Sequence, residues 1–144
     1  MNMKESKDLL ESVLKTTQMG QIGIRCVAKK AVSEEMKQAL HSQLREYDMI
    51  EQEAQQIAQM RGWVLPEPNS GARAMSEMMI RARMNGKRAD SKIAAMMIQG
   101  NTKGVIKGLK NMHAFPNKDS RVEALAQKLL DRENENIKQM EPFL

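Results

Sequence analysis

An all-α protein is what this sequence predicts. Aromatic residues make up 3% of the 144 positions while methionine fills 14, so the core must be built from Leu, Ile, Val, Met and Ala. Such side chains suit helix packing better than a sheet. There are only four prolines and no runs of β-branched residues. Apolar residues instead recur at helical spacing. The length suits a single domain, 1–144, with one sizeable core.

The first segment runs from about Lys4 to Lys30, with Leu10, Val13, Leu14, Thr17, Gln21, Ile24, Val27 and Ala28 in one stripe. Gly20 and Gly23 weaken it, each by roughly 1 kcal/mol relative to Ala. Ser33 followed by Glu34 and Glu35 reads as an N-cap with acids in the first turn, where the helix dipole favours them. The second segment, about Glu34 to Arg61, carries Met36, Ala39, Leu40, Gln43, Tyr47, Ile50, Ala54, Ile57 and Ala58. Arg61 and Gly62 make a helix stop, and WVLPEPNSG, with two prolines, excludes helix. Residues 72–84 are helix-prone again and end at Asn85–Gly86. Asp90 or Ser91 is placed to cap a third long segment reaching about His113, with Ala94, Ala95, Ile98, Val105, Leu109 and Met112 as its apolar positions. FPNKDS breaks the chain, and Asp119 or Ser120 caps a fourth segment on Val122, Leu125, Leu129, Ile137 and Met140.

Two helical hairpins result, about 4–62 and 90–141, joined by a long connection of about 63–89 that contains a short helix. Helices this long span about 40 Å, and a bundle of the up-down-up-down kind needs only a short central loop. A long connection instead predicts a four-helix bundle with one crossover along its length. The alternative is one long helix over 72–112, bent at Asn85–Gly86.

The hairpins echo one another. Aligning Ser33 with Ser120 brings Arg45-Glu46 onto Arg132-Glu133 and Ile50 onto Ile137, and aligning Gln18 with Gln99 brings Gly23 onto Gly104. The recurring positions are Gln18, Glu46-x-x-Met49, Gln99 and Glu133-x-x-Asn136. In this arrangement, and with Gly62-Trp63 and Pro66 at the start of the crossover, the chain resembles the ferritin-like superfamily, and within it the small bacterial proteins of the spore-coat F type. That resemblance implies a ferritin-like four-helix bundle. It also implies a diiron site built from one Glu on each of two helices and Glu-x-x-His on the other two. Here two of the Glu are Gln and both His are lost, so a degenerate site is expected, with no metal and no other cofactor. Gln18, Glu46, Met49, Gln99, Glu133 and Asn136 are then candidates for a polar core layer. In it the amides of Gln18 and Gln99 donate to the two acids, and Arg45 or Arg132 lends charge from the edge. Should the acids meet, one holds a proton, because like charges raise a pKa.

Charge is uneven. Residues 70–118 hold ten Lys/Arg against Glu77 and Asp90, so this stretch is strongly basic while the whole chain is +5. Lys103, Lys107 and Lys110 form a possible anion-binding face, which admits nucleic acid as a partner, although no aromatic platform or helix-turn-helix signal supports it. Gly100, Gly104 and Gly108 make a row where another backbone could approach closely, either the first helix or a second copy or protein partner. His41 and His113 fall outside the ligand pattern. Cys26 is the only cysteine, which excludes an internal disulfide, and it has no catalytic partner at a telling spacing. The methionine pairs at 78–79 and 96–97 read as adaptable packing, and Met75, Met78 and Met79 could cover the bundle or face a partner. No stretch reaches the roughly 20 apolar residues of a membrane span, and the N-terminus lacks a signal-peptide run. The expected role is non-enzymatic, structural or interactive, coat-like if the resemblance extends to function, and cytoplasmic or spore-associated. The alternatives are a metal-binding oxidase or storage protein using Glu46 and Glu133, and a basic DNA-associated protein.

Overall fold

Four long helices form in the computed structural model, which describes residues 2–66, 88–116 and 118–144. They are α1 (Met3–Ala28), α2 (Glu34–Arg61), α3 (Ala89–Ala114) and α4 (Ser120–Met140), followed by a 3₁₀ turn at Glu141–Phe143. No strand occurs among the described residues, and no helix among them is long and apolar enough to cross a membrane. The helix predicted over 72–84, with Met75, Met78 and Met79, lies outside the described residues.

Local chemistry sets the helix ends. The Asn2 side chain accepts the Glu5 N–H at 3.2 Å and opens α1. Ser33 Oγ accepts the Met36 N–H at 3.1 Å and opens α2, which Gly62 closes in the left-handed conformation (φ 71°). Asp119 caps α4 by accepting the Arg121 N–H at 2.7 Å. The start of α3 differs from expectation. Arg88 precedes it with non-helical backbone (φ −123°, ψ 45°), so α3 begins at Ala89, and the rest of the alternative helix over 72–112 lies outside the described residues. Neither Asp90 nor Ser91 caps it. Asp90 lies inside the first turn, and its carboxylate accepts the N–H groups of Val32 (2.8 Å) and Ser33 (2.9 Å).

Those two bonds fix the topology, because they place the start of α3 at the α1–α2 turn. At the other end, Arg61 pairs with Asp119, Asp119 N–H donates to Ser6 Oγ at 2.7 Å, and the Asn111 amide donates to Ser12 Oγ. Helices α1 and α4 therefore run one way, and α2 and α3 the other. The end of α2 and the start of α3 stand at opposite ends of the bundle. Helix α1 packs beside α2 and α3, α4 packs beside the same two, and α1 also reaches α4 across the centre.

Leu9, Leu10, Leu14, Ile24, Val27, Met36, Leu40, Ile50, Ile93, Val122 and Met140 fill the core and are all at most 2% exposed. Burial of each such side chain is worth about 1.5–3 kcal/mol. Asp119 is the polar group on which one end depends, since it is 1% exposed, caps α4 and neutralises Arg61. Asp119→Ala is expected to lower unfolding free energy by at least about 2 kcal/mol, combining a lost cap with a broken, mostly buried ion pair. Urea denaturation checks this, and Asp119→Asn, which keeps the capping oxygen, should lose less.

Candidate functional site

Two glycines let neighbouring helices come close at mid-bundle. A Cβ on Gly20 would sit 2.6 Å from the Tyr47 ring, and one on Gly104 would sit 2.0 Å from Glu133 Oε2. Tyr47 and Glu133 therefore fill the volume that side chains at 20 and 104 would need. Around them lies a polar layer. Tyr47 Oη donates to Asn101 Oδ1 at 2.9 Å, the Asn136 amide donates to Tyr47 Oη at 3.4 Å, and the Asn101 amide donates to the Met97 carbonyl at 2.8 Å. Gln21, the residue after Gly20 and so about 100° further around α1, donates to Asp48 at 2.8 Å.

Glu133 is the exception in this satisfied set. It is 2% exposed, and its Oε2 has no hydrogen-bond partner among the described residues. Burial pushes its carboxyl from the ordinary 4.5 up to about 8. Burial first, and then the Glu133 carboxylate, raise the Tyr47 phenol well above its ordinary range, while the bond from Asn136 works the other way. At neutral pH both groups are therefore mainly uncharged.

The layer opens into a cleft of about 380 Å³ between α1 and α3. Tyr47, Asn101 and Glu133 line its inner side, and Met19, Met96 and Met97 its apolar walls. Lys15, Lys103 and Lys107 gather at one end. Partial burial, and then the Lys15 ammonium, lower the Lys107 pKa. The volume falls at the lower end of the usual small-molecule range.

The expected site residues separate in this geometry. Glu133 and Asn136 are buried in the layer. Glu46 is not in it. Its side chain is 33% exposed and faces Arg132 at 3.9 Å. Met49 and Gln99 are exposed, and Gln18 is half-buried in a separate surface hollow beside Trp63. The cause is a slip of one residue. Buried positions of α2 map onto those of α4 as Met36 to Val122, Leu40 to Ala126, Tyr47 to Glu133, Ile50 to Asn136 and Ala54 to Met140, a constant offset of 86. The sequence echo has an offset of 87. Helices α1 and α3 likewise map as Leu9 to Ala89, Val13 to Ile93, Thr17 to Met97 and Gln21 to Asn101, an offset of 80 against the echo's 81. One residue is about 100° of rotation, enough to carry Glu46 to the flank and Tyr47 to the centre.

Other expectations resolve similarly. Lys103, Lys107 and Lys110 are all exposed, but only the first two line the cleft, where Lys15 joins them. Gly108 meets Leu130 and Gly104 meets Glu133, so α4, rather than α1 or a second copy, occupies that part of the glycine row. Gly100 meets nothing within 4 Å and faces the cleft. His41 and His113 are exposed, away from the layer. Among the described residues no group of three or more His, Cys, Asp or Glu is arranged to hold a metal ion. A diiron centre does not fit the donors at mid-bundle, which are one carboxyl, neutral amides and a phenol, since hard cations demand several charged oxygens.

Lys15, Met19 and Asn101 were not legible as site residues in the sequence. One signal was present. A lone tyrosine on an apolar stripe needs a partner for its hydroxyl, and Asn101 supplies it. Comparison with family models, curated proteins and solved structures finds no match for this chain.

Proposed function

We propose that this protein is a non-enzymatic helical interaction module, ferritin-like in arrangement, whose mid-bundle layer serves packing and binding rather than metal chemistry. The observation that carries this reading is the company Glu133 keeps. It is the one carboxyl in a layer of Tyr47, Asn101 and Asn136, with Glu46 turned outward to Arg132. A lone buried acid avoids its desolvation cost by holding its proton, whereas a metal site needs ionised ligands. The shared direction of α2 and α3 supports the ferritin-like arrangement. A coat-like role, at a spore or an envelope, belongs to this proposal through the sequence resemblance alone.

Anaerobic Fe(II) loading, desalting and elemental analysis test it. Iron is expected to stay well below stoichiometric. Stoichiometric retention that Glu133→Gln abolishes would establish the metal-binding alternative instead.

A further inference from the structure

We propose that the cleft between α1 and α3 binds a single-chain amphiphilic carboxylate, with the head group at Lys15, Lys103 and Lys107 and the alkyl chain along the glycine and methionine walls. The proposal rests on the reading of Glu133 as a metal-free carboxyl.

Shape supports a chain-like ligand. The α3 wall runs from Met96 to Lys107, about 16 Å along the helix axis, the length of a medium alkyl chain. Gly23 and Gly100 face the cleft, and a Cβ on either would meet nothing within 4 Å. Neither glycine is needed for a contact among the described residues, and glycine is the poorer helix former. What the two positions do is keep the trough wide. Met19, Met96 and Met97 offer flexible, polarisable walls suited to an alkyl chain.

Charge supports one orientation. Cations from two helices converge at one end, and among the described residues none with a charge lines the other end, around Gly23, Met96 and Gly100. Glu133 lies beside Gly104, within a helical turn of Lys103 and Lys107, and its Oε2 lacks a partner among the described residues. Its protonated form leaves the cleft wall neutral, and its ionised form repels a carboxylate bound alongside. The titratable groups that line the cleft with it are Lys15 from α1, Tyr47 from α2, and Lys103 and Lys107 from α3, with Glu46 of α2 engaged by Arg132. Other occupants match less well. A second copy would bring its own lysines.

The test is calorimetric titration of the full chain with submicellar dodecanoate, dodecyltrimethylammonium and dodecanol, at about pH 6.5 and about pH 9.5. Dodecanoate should bind saturably near pH 6.5, at least about tenfold tighter than the cation or the alcohol, and weaken by at least about tenfold at the higher pH. Glu133→Gln stays uncharged at both values and should show a pH effect at least about threefold smaller than the wild type, the remainder coming from Lys107, whose pKa is lowered. Gly100→Leu fills the trough where the fold leaves room, and should lose at least about tenfold in affinity. The pair Lys15→Glu and Lys107→Glu, at exposed side chains, should do the same and covers the case in which the leucine variant misfolds. No saturable dodecanoate binding, equal binding of the cation, or unchanged binding in the lysine variant would each overturn the proposal. So would a change of oligomeric state in place of ligand binding. Iron retention overturns the metal-free reading instead, so the two failures are distinguishable.

Discussion

Glu133→Gln is expected to raise stability strongly above neutral pH and to change it little near pH 5. The unfolded chain ionises this carboxyl near 4.5 and the folded chain near 8. Between those values the folded state holds the extra proton, so the contribution of Glu133 to stability falls as pH rises from 4.5 to 8 and levels off above. The size of the loss is up to about 5 kcal/mol. An amide of the same shape has no such titration. The thermal midpoint of the wild type should therefore drop across this interval relative to the variant, with the gap widest at and above pH 8. A variant that tracks the wild type at every pH would contradict the burial of the carboxyl.

The second large effect is a reversal of sign between two glycines of one helix. Gly23→Ala should stabilise by up to about 1 kcal/mol, because alanine is the better helix former and the new Cβ meets nothing. Gly20→Ala gains the same propensity but drives a Cβ to within 2.6 Å of the Tyr47 ring. That ring is 2% exposed and held through its hydroxyl by Asn101 and Asn136, so it cannot swing away as the end of a flexible chain could. Overpacking of this kind costs about 1–3 kcal/mol. Urea midpoints of the two variants, measured side by side, should move in opposite directions. If both rise, the close approach of α1 and α2 at Tyr47 is wrong.

Much of the fold was legible because three helices carry strong stripes. Every stripe position predicted for α2, from Met36 to Ala58, is buried. Those of α1 are buried from Leu10 to Val27, with only Ala28 left exposed. Helix α3 was the poorest. Its predicted Leu109 is 47% exposed, and Val105 and Met112 are only half-buried. The reason is that Gly104 and Gly108 turn bare backbone toward α4. Hydrophobic periodicity registers side chains and is blind to a face buried by its backbone.

The site was half legible for a related reason. Glu133 stands out as an acid on an apolar stripe, which one sequence suffices to reveal. Its supposed counterpart Glu46 came from matching letters between hairpins, and the match misses the burial register by one residue. Tyr47 already sat on the predicted stripe of α2, and two adjacent helical residues cannot both face the centre. The stripe was the better guide, because it reports on packing while the echo reports only on similarity. The cleft itself was out of reach, since its lysines come from two helices whose register the sequence does not state.

The most direct measurement is a carboxyl carbon-13 titration of Glu133 by NMR, assigned through Glu133→Gln, in metal-free protein. A midpoint near 8 is expected of an acid enclosed among Tyr47, Asn101 and Asn136. A midpoint near 4.5, the value of an exposed side chain, would contradict the account.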